Sequence, residues 1–181
     1  MSILEFEACR LSDLANEFAL IADIGFEVAG RDMDETERKL RFQAVAGMQA
    51  VVGRHEGEIK AFMSVGDARK SINWAKEIPL MMHLQKRGAW PLYAVDNVFI
   101  RRAFWKTGSQ LALSRAVATH ILANGGAWML LYGYPSDAMN DYSMQLPGSE
   151  VLEGFVDFNG RQVGIRNLTV YLDGTSPVAP Q

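Results

Sequence analysis

Between Val95 and Leu113 the chain reads VDNVFIRRAFWKTGSQLAL, a β-prone run, a short turn and a helix-prone run. The glycine of the turn, Gly108, sits between Thr107 and Ser109, where the helix should begin. The first turn of a helix presents N–H groups that have no intrahelical partner, together with the positive end of the helix dipole. Phosphate is a natural ligand for that geometry. Arg101, Arg102 and Lys106 put three cations in the same stretch, either beside such a phosphate or on a solvated rim. The plain alternative is a helix-start glycine that holds nothing. Elsewhere the chemistry-bearing residues do not assemble. His55, His83 and His120 lack metal-ligand spacing and a cysteine partner, and no Ser-His-Asp set has a supporting motif.

The elements that would position this junction follow from periodicity. Ile3 to Cys9 alternates as a first strand. Ser12 is placed to cap a helix whose apolar face is Leu14, Phe18, Ile21 and Ile24, with Gly25 and Gly30 as interruptions. A second helix begins near Asp34, with Glu37 at capping-box spacing and Leu40, Ala44, Val45 and Met48 as its inner stripe. Ala50–Gly53 and Ile59–Val65 form a hairpin across Arg54-His55-Glu56-Gly57. Ser71 to Gly88 has helical periodicity interrupted by Pro79. Leu92–Ile100 is a strand, and the helix after Gly108 runs to about Ala123, buried through Leu113, Val117, Ile121 and Leu122. Trp128–Tyr132 is apolar throughout, as a central strand should be. Ser136 to Met144 reads as a short helix. Val151–Phe158 and Arg161–Leu172 flank Asn159-Gly160, the strongest hairpin signal in the chain. The order is β α α β β (α) β α β α β β. It predicts an α/β fold, one domain over residues 1–173 built on a mixed β-sheet flanked by helices, with a loose tail over 174–181.

Composition narrows the function. With 181 residues, 49% hydrophobic content and a net charge of −3, the chain suits one globular domain. The acidic balance argues against sequence-independent nucleic-acid binding. The single cysteine, Cys9, excludes an internal disulfide and fits a reducing compartment. No secretory signal or membrane-length apolar run is visible, so the expected location is cytoplasmic.

This order of elements, with the Val95–Leu113 stretch at its centre, resembles the GCN5-related N-acetyltransferases. That family's signature is an apolar strand, then Arg or Gln, two residues, Gly, one residue, and Gly or Ala. With Gly108 on the first glycine, Ile100 and Leu113 fall on the strand-end and helix apolar positions, Trp105 in the Arg/Gln slot and Gln110 in the Gly/Ala slot. Two of the three signature positions therefore depart from the pattern. The resemblance implies acetyl-CoA as cofactor. Backbone N–H groups of Trp105, Lys106, Thr107, Gly108, Ser109 and Gln110 would hold its pyrophosphate, and the strand at Val98 and Ile100 would lie along its pantetheine arm. It also implies a general acid at Tyr142, where Ala138 and Tyr142 keep the family spacing although Pro135 replaces the expected Asn. Asp96 stands in the strand segment that carries a base in some members.

The resemblance thus implies an acyl-CoA-dependent N-acyltransferase, expected to move acetyl from acetyl-CoA to an amine on a small molecule or a protein. The competing reading, drawn from Trp105, Gln110 and Pro135, is a structural or interaction subunit that keeps the fold without catalysis, for example in a virus particle. Roughly twenty residues stand between the third and fourth strands, long for a plain connection. The apolar 71–88 segment and the last hairpin are the expected surfaces for a second copy or an assembly partner.

Overall fold

The computed structural model describes residues 4–68, 82, 86 and 91–126, with the strand segments 128–133, 149–152 and 166–171. The helix expected at Ser136–Met144, with Tyr142, and the 71–88 segment lie outside the described residues, apart from Met82 and Lys86. The chain forms two compact units, residues 1–66 with 96–117 and residues 67–95 with 118–181.

In the first unit, β1 (Glu5–Arg10) pairs antiparallel with β2 (Gln49–His55), and β2 with β3 (Glu58–Asp67). The 96–100 part of β4 (Leu92–Ile100) runs beside β3. Arg101 N–H donates to Lys60 O (2.9 Å), and Ser64 Oγ donates to Asp96 O (2.6 Å), which requires antiparallel strands. The β2–β3 turn is Glu56-Gly57, both at positive φ (52° and 81°), the backbone of a type I′ hairpin.

A 3₁₀ segment, Leu11–Glu17, leads into α1 (Phe18–Ala29), and α2 (Met33–Val45) follows. Leu11, Leu14, Phe18, Ile21, Ile24 and Leu40 close over Ala50, Val52, Ile59, Phe62 and Phe99 as one core. The helix starts differ from those expected. Ser12 donates to Asp13 Oδ1 (3.4 Å) and caps nothing. The cap of α2 is Asp32, whose carboxylate accepts from Glu35 N–H (2.7 Å), two residues before the expected Asp34–Glu37 pair. Gly25 does not interrupt α1 but lies within it; a Cβ there would come within 2.9 Å of Phe99 Cζ. Gly30 ends α1 at φ 63°. Val45, expected inside, is 91% exposed; it lies roughly 200° round the helix from the buried Gln43.

In the second unit, the 92–95 part of β4 pairs in parallel with β5 (Trp128–Gly133), from Leu92↔Trp128 to Val95↔Leu131. On its other edge β5 pairs antiparallel with β7 (Arg166–Tyr171), which pairs with β6 (Ser149–Leu152). The β6–β7 register runs from Ser149↔Val170 to Leu152↔Asn167; the Asn159-Gly160 turn expected between two such strands lies outside the described residues. The helix α3 (Ser109–Ala123) passes through both units. Antiparallel pairs with one parallel pair make this a mixed sheet with flanking helices, an α/β fold as the sequence predicts. No helix among the described residues is long and apolar enough to cross a membrane.

Candidate functional site

Residues 96–110 lie wholly in the first unit. Peptide groups alternate direction along a strand. Arg101 N–H faces β3, so the N–H groups of Val98 and Ile100 project from the opposite edge of β4. The carbonyl of Ile100 on that edge accepts from Trp105 Nε1 (2.8 Å). The chain then turns through Arg102–Phe104 and enters α3. Lys106 and Gly108 both have positive φ (60° and 85°) on either side of Thr107, a backbone form that tends to make anion-binding concavities. The first bond of the α3 ladder runs from Ala112 N–H to Gly108 O (3.0 Å). The N–H groups of Ser109, Gln110 and Leu111 therefore stand ahead of the ladder, at the positive end of the helix.

Whether phosphate fits here depends on two side chains. A Cβ built on Gly108 would have nothing within 4 Å, so neither Trp105 nor Gln110 occupies that space. The indole of Trp105 is held back on Ile100 O and lies under the Arg102 guanidinium at 5.8 Å. Gln110, only 8% exposed, is turned into the protein, and its Oε1 has no hydrogen-bond partner. Thr107 Oγ1 donates to Phe104 O (2.7 Å) and meets Ser109 Oγ at 2.7 Å, which braces the turn. An open glycine beside the helix-start N–H donors is compatible with a bound phosphate ester, whereas the buried Gln110 Oε1, itself an acceptor, has nothing to offer one.

Of the three cations, Arg101 is not at this cradle. It binds Asp23 (2.5 Å) and Glu27 on α1, and Glu27 also accepts from Arg102 N–H (2.9 Å). The Arg101 hydrogen bond is the main reason that the Glu27 carboxyl titrates below its ordinary 4.5. A carboxyl with a lowered folded pKa stabilises the fold above its unfolded pKa and loses that contribution as pH falls through the folded value. Glu27→Gln should therefore lower the melting temperature at pH 7. The gap from wild type should narrow steadily below about pH 4.5, read by thermal melts from pH 7 to 3.5.

The second cluster surrounds Asp96 and Asn97. Asp96 Oδ1 accepts from Lys39 Nζ (3.0 Å) and Asn97 N–H (2.9 Å); Oδ2 accepts from Gln43 Nε2 (2.9 Å) and lies 2.8 Å from Lys39 Nζ. Asn97 is buried with φ 50°, a bulge-like kink inside β4. Its Nδ2 donates to Gln43 Oε1 (2.9 Å) and reaches Ser64 Oγ (3.4 Å), while its Oδ1 accepts from Arg31 (3.1 Å). The Arg31 guanidinium lies over the Phe99 ring at 5.3 Å. Sequence reasoning found Asp96 but missed Asn97, Gln43 and Arg31. The available signal was an Asx-type residue able to take positive φ within a β-prone run; its partners lie 33 to 66 residues away.

Cys9 is not a nucleophile candidate: burial first, then the Glu7 and Asp13 carboxylates, push its thiol up to about 11. A shallow groove lined by Asp34, Glu37, Arg38 and Arg41 lies on α2 and shares no residue with residues 96–110.

No protein-family model matches the chain, and no curated protein sequence matches it. Solved structures do. FeeM, an N-acyl amino acid synthase from uncultured soil microbes, superposes with a TM-score of 0.67 at 13% identity, over 93% of this chain and 92% of its own. The AHL synthase LasI does so at 0.64 and 13% identity over 100% of both chains. The aminoglycoside acetyltransferase AAC(6')-Ib, solved with coenzyme A, gives 0.65 at 10% identity over 92% of this chain and 95% of its own. The chain has the fold of the GCN5-related acyltransferases.

Proposed function

We propose that the protein is an acyl-CoA-dependent N-acyltransferase. The observation that carries this is the open, positive-φ Gly108 at the start of α3, one short turn after a β4 whose Val98 and Ile100 N–H groups leave the edge away from β3. The likeness to acyl- and acetyltransferase structures supports the reading. The backbone from Lys106 to Gln110 would hold the pyrophosphate of coenzyme A, since helix-start N–H donation does not depend on the missing signature side chains. The cofactor supplies a thioester: a C–N bond to the acceptor forms as the C–S bond breaks, and one proton leaves nitrogen while sulfur gains one.

The chain's own residues supply position and charge. The Val98 and Ile100 N–H groups are placed to donate to a carbonyl oxygen as negative charge builds on it. Asp96, or a water beside it, accepts the amine proton, and Tyr142 returns one to sulfur. Both Asp96 oxygens already accept from Lys39, Gln43 or the Asn97 N–H, so proton removal goes through water or follows release of Lys39. Acetyl is the proposed acyl group, and the acceptor is an amine.

Acetyl-CoA should bind and raise the melting temperature. At a hundredfold excess over Kd the gain is about 2.7 kcal/mol, or roughly 5–10 °C for a chain of this size. No shift at millimolar acetyl-CoA, with no heat of binding by calorimetry, overturns the reading.

A further inference from the structure

Asn97 spends conformational energy that a strand residue ordinarily avoids. A non-glycine at φ 50° is uncommon, and Asn is among the residues that tolerate it best. Its side chain is also the hub of a network drawn from three elements. Gln43 comes from α2, Ser64 from β3, and Arg31 from the connection between α1 and α2. Every polar atom of the Asn97 amide side chain has a partner in a buried setting, where a half-satisfied network would be costly. Gln43 bridges two members: it accepts from Asn97 and donates to Asp96. Arg31 follows Gly30, the left-handed end of α1, and precedes Asp32, the cap of α2. The α1–α2 connection is therefore tied to the kink in β4.

The kink immediately precedes Val98. A change in φ at residue 97 rotates the peptide groups that follow, so the direction of the Val98 and Ile100 N–H groups depends on it. We propose that Asn97, held by Arg31, Gln43 and Ser64, is a positioning residue that aims these N–H groups at the acyl carbonyl of a bound thioester. The inference rests on the acyl-CoA reading and goes beyond it by assigning the aim of the carbonyl donors to a side-chain network outside the cofactor signature.

Coenzyme A provides the discriminating probe, because it has the pyrophosphate and pantetheine of acetyl-CoA but no acyl carbonyl. Calorimetry with both ligands should show wild-type protein preferring acetyl-CoA. A net contribution typical of one hydrogen bond corresponds to roughly three- to tenfold in Kd. Asn97→Ala should remove that preference and leave the Kd for coenzyme A within about twofold, the usual indifference of a separate contact. Asn97→Gly, which takes positive φ freely but has no anchor, should fall between. Arg31→Met keeps an apolar stem near Phe99 at an exposed position and removes the bond to Asn97. It should reduce the preference in the same direction, and it keeps the inference testable if Asn97→Ala does not fold. In ligand-free protein, Asn97→Ala should also shift the Val98 and Ile100 amide resonances.

Equal weakening of both ligands, or an unchanged preference in Asn97→Ala and Arg31→Met, overturns the positioning role alone. Wild-type protein that binds neither ligand overturns the acyl-CoA reading and this inference with it.

Discussion

Gly108→Val should weaken coenzyme A binding at least tenfold while leaving a folded protein. Two effects are expected and can be separated. The first is backbone strain: Gly108 has φ 85°, and an L residue forced into the left-handed region costs about 1–2 kcal/mol. The second is occupation of space. A side chain at 108 would extend into the open volume beside the start of α3, since its Cβ meets nothing within 4 Å. On the proposed acyl-CoA reading, that is where a phosphate would meet the Lys106–Gln110 backbone. Gly57 provides a matched control. It has φ 81°, and its Cβ position is equally open, but it lies in the β2–β3 turn. Gly57→Val should show similar destabilisation and unchanged binding. Gly108→Val should weaken coenzyme A at least tenfold, about 1.4 kcal/mol or more. Equal affinities in the two variants would remove the phosphate role from Gly108 and leave it a helix-start glycine.

The contrast between these two glycines also shows what the sequence can express. Local chemistry was legible. Leu92–Ile100 is a strand at the expected bounds, the Glu56-Gly57 turn joins the expected hairpin, and the last two strands pair antiparallel. Each follows from residues adjacent in the chain. The cap of α2 was misplaced by two residues because Asp32 and Asp34 both precede acidic residues at capping spacing, and the backbone decides between them. Gly25 reads as a helix breaker until Phe99, seventy-four positions later, is seen against it. The polar hub is least legible of all. Gln43, Asn97 and Arg31 look like surface residues in a linear reading. They are site-forming only because α2 and the α1–α2 connection pack on the kinked part of β4. The departures at Trp105 and Gln110 were legible as departures, but not their outcome. The indole finds an acceptor at Ile100 O, and the amide folds inward, so the space beside Gly108 stays open.

Phe99→Ala should be among the most destabilising single changes in the first unit and should act on the site at the same time. The ring is buried and lies between three neighbours. It stacks on Phe62 at 6.2 Å between centroids, it approaches Gly25 so closely that a Cβ there would clash, and the Arg31 guanidinium covers it at 5.3 Å. Truncation removes the transfer energy of the ring and leaves a cavity that the α1 backbone cannot fill without moving. The usual cost of such a change is about 3–5 kcal/mol, which at this chain length lowers the melting temperature by about 10 °C or more. Phe99→Leu keeps most of the volume and should cost about half as much or less. The functional part is separable from the fold. Arg31 loses the surface under its guanidinium in Phe99→Ala, so its bond to Asn97 is less restrained. A double-mutant cycle between Phe99→Leu and Arg31→Met should then give a coupling of about 0.5 kcal/mol or more, because the guanidinium that bonds Asn97 rests on the Phe99 ring. Additive effects within about 0.3 kcal/mol would mean that the ring supports α1 alone and that Arg31 reaches Asn97 without it.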